Sequence, residues 1–345
     1  MKTQYFRVDG PDDPAIEAVG AILKNGGLAA IPTETVYGLA ANALDDAAVR
    51  RIFAAKGRPA DNPLIVHISD LSQWNALVHR IPAVAKQLAE AFWPGPLTMI
   101  LPKSELVSDV VSGGLATVAV RMPSHPVARA VIDAAGVPLA APSANRSGKP
   151  SPTTAQHVED DMDGRIDCIL DAGPCSVGVE STVISLAGER PRLLRPGGVT
   201  PEMLQTVLGD LEIDDAVFHR LAAGRTAASP GMKYQHYAPA AAVTILKGSF
   251  AQFLRYVETH QGPATMALCF DGEEEKLPVP AVSFGKEDDG AAQAARIFDA
   301  LRKVDKMGAD IVFARFPKMD GVGLAVFNRL VRAAAFRVID LGGAP

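Results

Sequence analysis

The chain is 345 residues long, more than one hydrophobic core ordinarily spans, so two domains are expected. Hydrophobic residues make up 48% and charged residues 21%, which excludes a disordered chain, and no apolar run approaches the roughly 20 residues of a membrane span. With 39 acidic against 34 basic residues there is no global positive field to hold a polyanion, so any phosphate site must be local.

The N-terminal residues MKTQYFRVDGPDDP lack the apolar core of a signal peptide. Cys168, Cys175 and Cys269 lack the spacing of a zinc site or a disulfide framework, and a cytoplasmic, reducing location is expected. Behind Asp12 and Asp13, the positions Ile16, Val19, Ile22 and Leu23 mark one helical face, and Leu28–Ile31 reads as a strand. That strand runs into Pro32-Thr33-Glu34-Thr35-Val36-Tyr37-Gly38-Leu39, either a polar site at a tight turn or a capped turn with a buried tyrosine. Asp45 is placed to cap a helix marked by Val49, Ile52 and Phe53.

That helix leads to Lys56-Gly57-Arg58-Pro59, with Asn62-Pro63 opening a strand over Leu64–Ile68. Two cations on a proline-stiffened loop present a point charge and a planar fork to phosphates. His67 alternates with apolar neighbours, so a core histidine is its default reading. Leu97–Leu101 and Thr117–Arg121 read as strands, and an arginine in a hydrophobic strand requires an anion: Glu34, Glu180 or a carboxylate substrate.

Val137–Ala141 reads as a strand followed by Pro142-Ser143-Ala144-Asn145-Arg146-Ser147-Gly148-Lys149-Pro150-Ser151. Its small residues admit close backbone approach and its hydroxyls suit a nucleotide. A P-loop is excluded, because Ser143 stands where its glycine is needed and Pro150 follows Lys149. Gly178-Val179-Glu180-Ser181 precedes a strand over Thr182–Leu186, and the strand Arg192–Arg195 ends before Pro196-Gly197-Gly198. Lys56, Arg58, Arg121 and Arg195 thus stand at element ends in a net-acidic chain, which argues for one concave anion site. No cluster suggests a dedicated metal site, so Mg²⁺ would arrive with phosphates.

Several strands follow one another without a helix between them, so a mixed sheet is expected. From about Leu211 to Pro239 the pattern lapses into a linker. It then resumes with strands at Val243–Leu246, Thr265–Phe270, Asp310–Ala314 and Arg337–Asp340 and helices at Phe250–Thr259, Ala291–Lys303 and Leu324–Phe336, a small α/β domain.

In order and spacing, P-T-E-T-V-Y-G-L, K-x-R-P-x-x-N-P-L, P-S-A-N-x-S-G and E-S-T-V resemble the YrdC-like threonylcarbamoyl-AMP synthases over residues 28–198. Ser229-Pro230-Gly231-Met232-Lys233-Tyr234-Gln235-His236-Tyr237-Ala238-Pro239 resembles the linker of the long form, where the family often carries arginine in place of Lys233. Gly321-Val322-Gly323-Leu324 through Asn328-Arg329-Leu330 resembles its C-terminal domain.

The resemblance implies an α/β fold: a YrdC-like twisted mixed sheet with helices over 1–210, a linker or lid over 211–240, and a smaller Rossmann-like α/β domain over 241–345. It implies a nucleotidyltransferase that joins L-threonine, bicarbonate or CO₂ and ATP into threonylcarbamoyl-AMP with release of pyrophosphate. A tRNA-modifying transferase complex would use the product at tRNA position 37. Carried onto this sequence, Thr35, His67, Arg121, Ala141 and Ser181 line the threonine pocket. Arg58, Asn62, Thr117, Ser143, Ser151, Arg195 and Tyr234 hold ATP, and Lys56 with Arg58 serves the chemistry at the phosphates. A rival expectation is an RNA-binding module using the same basic concavity, against which the acidic net charge and the lack of aromatic platforms weigh.

Overall fold

The computed structural model describes residues 2–220 and 237–342. Contacts divide the chain into two compact units, 1–147 with 151–233 and 148–150 with 234–345. Tyr234 and most of the expected linker lie outside the described residues.

Eleven strands build the sheet of the first unit: β1 (Gln4–Arg7), β2 (Ala29–Ile31), β3 (Gly38–Asn42), β4 (Ile65–His67), β5 (Leu97–Pro102), β6 (Thr117–Arg121), β7 (Leu139–Ala140), β8 (Cys168–Asp171), β9 (Thr182–Ser185), β10 (Arg192–Arg195) and β11 (Glu212–Ile213). Their lateral order is β1-β8-β2-β3-β7-β4-β6-β5-β9-β10-β11. The pairs β1·β8, β2·β8, β4·β6, β5·β9 and β10·β11 are parallel. The pairs β2·β3, β3·β7, β4·β7, β5·β6 and β9·β10 are antiparallel. The sheet is mixed, as the succession of strands without intervening helices predicts.

Two cores hold it. On one face, helix α1 (Ala15–Lys24) packs on the helix Pro126–Ala135 over Ala29, Ile31, Ala40, Leu139, Ala141, Cys168 and Leu170. Their approach depends on Gly20, because a Cβ there would stand 2.6 Å from the Ala134 Cβ. On the other face a larger core joins Val66, Val120, Met99, Ile184 and Leu193 to helix α2 (Asp46–Lys56) and to the helices Leu71–Leu77, Ala83–Phe92, Ala155–Met162 and Pro201–Leu208. Asp45 caps α2 as its sequence position suggests, accepting from the amides of Ala47 and Ala48.

The structure adds β1, β3, β8 and β11 and narrows the strand expected over Val137–Ala141 to Leu139–Ala140. The segment Gly38-Leu39-Ala40-Ala41-Asn42 has weak intrinsic strand preference and becomes β3 through its pairing with β2 and β7. Beyond residue 210, β11 pairs with β10, and Ala216 and Val217 are buried.

Among its described residues the second unit has five strands, β12 (Ala242–Lys247), β13 (Thr265–Cys269), β14 (Ala281–Ser283), β15 (Ile311–Arg315) and β16 (Val338–Asp340), all parallel and ordered β14-β13-β15-β12-β16. Helices Phe250–His260, Gly290–Lys306 and Gly323–Ala333 connect them, and Arg315 is buried against Glu273 at 3.1 Å and the Phe270 ring at 5.0 Å. Among the described residues no helix is long and apolar enough to cross a membrane.

Candidate functional site

Strand pairing alone assembles most of the site. His67 of β4 lies beside Arg121 of β6, Arg121 beside Thr98 of β5, Thr98 beside Val183 of β9, and Val183 beside Arg195 of β10. Laterally paired residues point to one face, so these five form a row across the sheet. The row faces away from the larger core, since Val66, Met99 and Val120 of opposite alternation belong to that core. His67 is also paired with Leu139, which lies under α1. The strand residues of that smaller core stop at β7, and the polar row begins on the next strand.

Arg121 is the centre of the row. Its Nη2 forms a 2.7 Å ion pair with Glu34 Oε1, Nη1 donates to Thr35 Oγ1 at 2.8 Å and Nε donates to the Gly95 carbonyl at 3.3 Å. Of the anions the sequence offered, the structure selects Glu34. Glu180 instead accepts from Ser151 Oγ at 2.5 Å. Burial pushes the Glu34 carboxyl up, but the charge and hydrogen bonding of Arg121 outweigh it and hold the group below its ordinary value.

The turn that carries Glu34 and Thr35 is self-supporting: Thr33 Oγ1 accepts from the amides of Thr35 and Val36 and donates to the Val36 carbonyl at 2.6 Å. Tyr37 is fully buried and its hydroxyl donates to the Gly173 carbonyl at 2.7 Å. The motif is therefore both the capped turn and the support of a polar site. Ser181 Oγ lies 2.8 Å from Thr98 Oγ1, and Arg195 donates to Ser181 through Nε to the carbonyl at 3.0 Å and Nη2 to Oγ at 3.2 Å.

His67 is buried, with no partner for Nδ1 among the described residues. Burial, reinforced by Arg121, pushes its pKa down to about 3, so the ring is neutral near neutral pH. The unfolded chain takes up this proton from about 6.5 downward while the folded chain resists it, so His67 removes stability as pH falls from 6.5 to about 3. His67→Asn should show a shallower loss over that window, read as urea midpoints at successive pH values.

Lys56, read as a phosphate cation, is buried and donates to the carbonyls of Ser143 and, at 2.6 Å, Asn145. Burial and then Arg58 push its ammonium well below the usual lysine value. The amide of Ser147 returns a bond to the Lys56 carbonyl at 2.9 Å, so the end of α2 fixes the 143–147 loop. Lys56→Met should leave two carbonyls unpaired and lower stability by about 2–4 kcal/mol. Thermal melts check the stability, and a raised KM for nucleotide checks the loop.

Arg58 donates to the carbonyls of Pro63 at 3.1 Å and Asn62 at 3.4 Å, and Asn62 Oδ1 is buried without a partner among the described residues. Ser143 bridges to Gly38, and Ala141 hydrogen-bonds through its amide to the Ile65 carbonyl at 3.0 Å. Thr117 shares the face of Arg121 but stands at the opposite end of β6, about 13 Å away along the strand. Thr98 and His125 were not foreseen. Thr98 is one hydroxyl in an apolar strand, legible only once its pairing with Arg121 is known. His125 is half-buried and has no partner for Nδ1 among the described residues, and burial pushes its imidazole below the ordinary value against the pull of the Glu34 charge. Among the described residues no group of three or more His, Cys, Asp or Glu side chains could hold a metal ion.

Residues 21–197 match the family model described as Telomere recombination, which covers the Sua5, YciO and YrdC proteins, and residues 199–335 match that of the threonylcarbamoyl-AMP synthase C-terminal domain. The threonylcarbamoyl-AMP synthase of Pyrococcus abyssi is 47% identical, covering 94% of this chain and 96% of that protein. That of Bacillus subtilis is also 47% identical, over 98% of this chain and 100% of its own. The crystal structure of P. abyssi Sua5 complexed with L-threonine superposes with a TM-score of 0.90 at 43% identity, covering 99% of both chains. With both family regions present and near-complete coverage of these relatives, the chain belongs to the threonylcarbamoyl-AMP synthase family.

Proposed function

We propose that the chain joins L-threonine, bicarbonate or CO₂ and ATP into threonylcarbamoyl-AMP and pyrophosphate, with the row around Arg121 as its substrate site. The observation that carries this reading is a guanidinium held on a sheet by Glu34 and Thr35, beside neutral His67 and the Ser181–Arg195 pair. A buried, fixed guanidinium suits a small carboxylate. Thr35, His67, Arg121, Ala141 and Ser181 would receive threonine, with Arg121 taking its carboxylate.

Arg58, Asn62, Thr117, Ser143, Ser151, Arg195 and Tyr234 would hold ATP. The amine of threonine captures CO₂ as a carbamate, and a carbamate oxygen attacks the α-phosphorus while pyrophosphate leaves. Two anions must be brought together, so cations and positioning supply most of the catalysis. Arg58 and Arg195 would serve the phosphates, and Lys56 would act through the 143–147 loop, which it holds by the Ser143 and Asn145 carbonyls. Mg²⁺ would enter as the counter-ion of ATP and neutralise phosphate charge.

The product would serve the N6-threonylcarbamoyl modification of adenosine at tRNA position 37, through a separate transferase complex. Three buried free thiols, each pushed up to about 12 by burial, accord with a reducing cytoplasm. The RNA-binding alternative needs exposed cations, whereas Lys56, Arg58, Arg121 and Arg195 are all at least nine-tenths buried. The test is incubation with Mg·ATP and bicarbonate: pyrophosphate should appear on addition of threonine. Pyrophosphate release indifferent to threonine, or none at all, would refute the assignment.

A further inference from the structure

A cavity of about 630 Å³ opens in the first unit between the helices Leu71–Leu77 and Ala83–Phe92 and the segments that follow β4 and β6. Its volume lies within the range of small-molecule sites. Trp74, Trp93, Ile81 and Met122 give it apolar walls, and Lys86 and Arg129 also line it. Met122 follows Arg121 in the chain but belongs to the larger core, Arg129 comes from the helix Pro126–Ala135 that packs on the other face, and no residue of the polar row lines the cavity.

Two features separate it from a packing defect. Trp74 is 2% exposed and its Nε1 has no acceptor among the described residues, and the Nε of Arg129 is likewise buried without one. Buried donors are rarely left unpaired. The neighbouring Trp93 shows the ordinary outcome, donating to the Leu97 carbonyl at 2.7 Å. The two indoles meet edge-on, with centroids 4.7 Å apart.

We propose that this cavity binds a small carboxylate with an aromatic or branched apolar body, its oxygens accepting from Arg129 and Trp74 and its body lying against the indole walls. Two single N–H donors match the two oxygens of one carboxylate. Asp70 and Glu90 also line the cavity and offset Lys86 and Arg129, so a phosphate dianion would meet no net positive charge. Threonine is excluded as the preferred occupant because its polar side chain would face apolar walls.

The chain has two tryptophans and both line the cavity, so tryptophan emission reports its occupancy directly. The full-length protein is titrated with phenylacetate, followed by emission and by calorimetry. A saturable change is expected, weakened about tenfold or more in Arg129→Gln and less in Arg129→Lys, which keeps the charge. Trp74→Phe, which keeps a ring but loses the N–H, should weaken the calorimetric affinity about fivefold. Benzyl alcohol and phenyl phosphate should bind more weakly, and saturating L-threonine should leave the phenylacetate affinity unchanged. Arg129→Gln should retain wild-type thermal stability and threonine-dependent pyrophosphate release, which shows that it folds. No saturable signal, equal affinity in Arg129→Gln and wild type, tighter binding of phenyl phosphate, or displacement by threonine would each overturn the proposal.

Discussion

Arg121→Gln should lower the stability of the first unit by about 3–5 kcal/mol and reduce threonine-dependent pyrophosphate release roughly 100-fold or more. The stability loss comes from Glu34, which is buried with Arg121 and would be left as an uncompensated charge. The pH dependence makes the cause identifiable. In the wild type the folded pKa of Glu34 lies below its ordinary 4.5, so the pair's contribution is fully present above 4.5 and is lost as pH falls through the folded value. In Arg121→Gln burial acts with much less opposition and raises the folded pKa above the unfolded one. The variant should then be best matched to wild type in acid and fall behind as pH rises toward neutrality. The double variant Glu34→Gln/Arg121→Gln should recover much of the stability and none of the activity. Chemical denaturation of the three proteins at several pH values checks this, and a double variant as unstable as the single one would contradict it.

Gly197→Ala is expected to lower activity as strongly, through the other half of the proposed site. A Cβ at this position would collide with the amide of Thr182 and come within 2.7 Å of the Glu180 carbonyl and the Ser181 carbonyl carbon, all backbone atoms. None of these can rotate aside. The segment they belong to carries Ser181, which Arg195 and Thr98 hold, and Glu180, which binds Ser151. The substitution should cost about 1–3 kcal/mol as overpacking and lower kcat/KM roughly 100-fold by shifting this segment. Melting temperature and steady-state rates measure the two effects, and near-wild-type kinetics would show that the segment is not part of the site.

The sequence already carried the strands of the row, because Leu64–Ile68, Leu97–Leu101 and Thr117–Arg121 are apolar runs of strand length. It also carried the demand for an anion at Arg121, since a cation in such a run cannot be left bare. What it left open was which carboxylate answers, because Glu34 and Glu180 are both flanked by hydroxyl residues and differ only in tertiary position. Lys56 illustrates the converse. A lysine before a glycine-proline loop reads as a cation free to meet a phosphate, yet the 143–147 loop gives its ammonium backbone carbonyls. The helices Leu71–Leu77, Ala83–Phe92, Pro126–Ala135, Ala155–Met162 and Pro201–Leu208 were not anticipated, and three of them begin at or directly after a proline that the eye takes for a breaker. Proline is accommodated at a helix start because that amide has no intrahelical acceptor. The lateral order of the sheet rests on pairings between residues far apart in the chain, which local pattern does not encode.

Arg121, proposed to receive threonine's carboxylate, and Arg195, among the residues proposed to hold the nucleotide, stand on interior strands of an eleven-stranded sheet. Such strands cannot slide or rotate singly without breaking ladders on both sides, so the spacing between His67, Arg121, Thr98 and Arg195 is set before any substrate arrives. Little reorganisation energy is then spent when charge shifts during the reaction. An amino acid of different girth would then meet a fixed lattice on the side of His67 and Arg121, and only Thr35, Ala141 and Ser181, on the segments between strands, could give way to it.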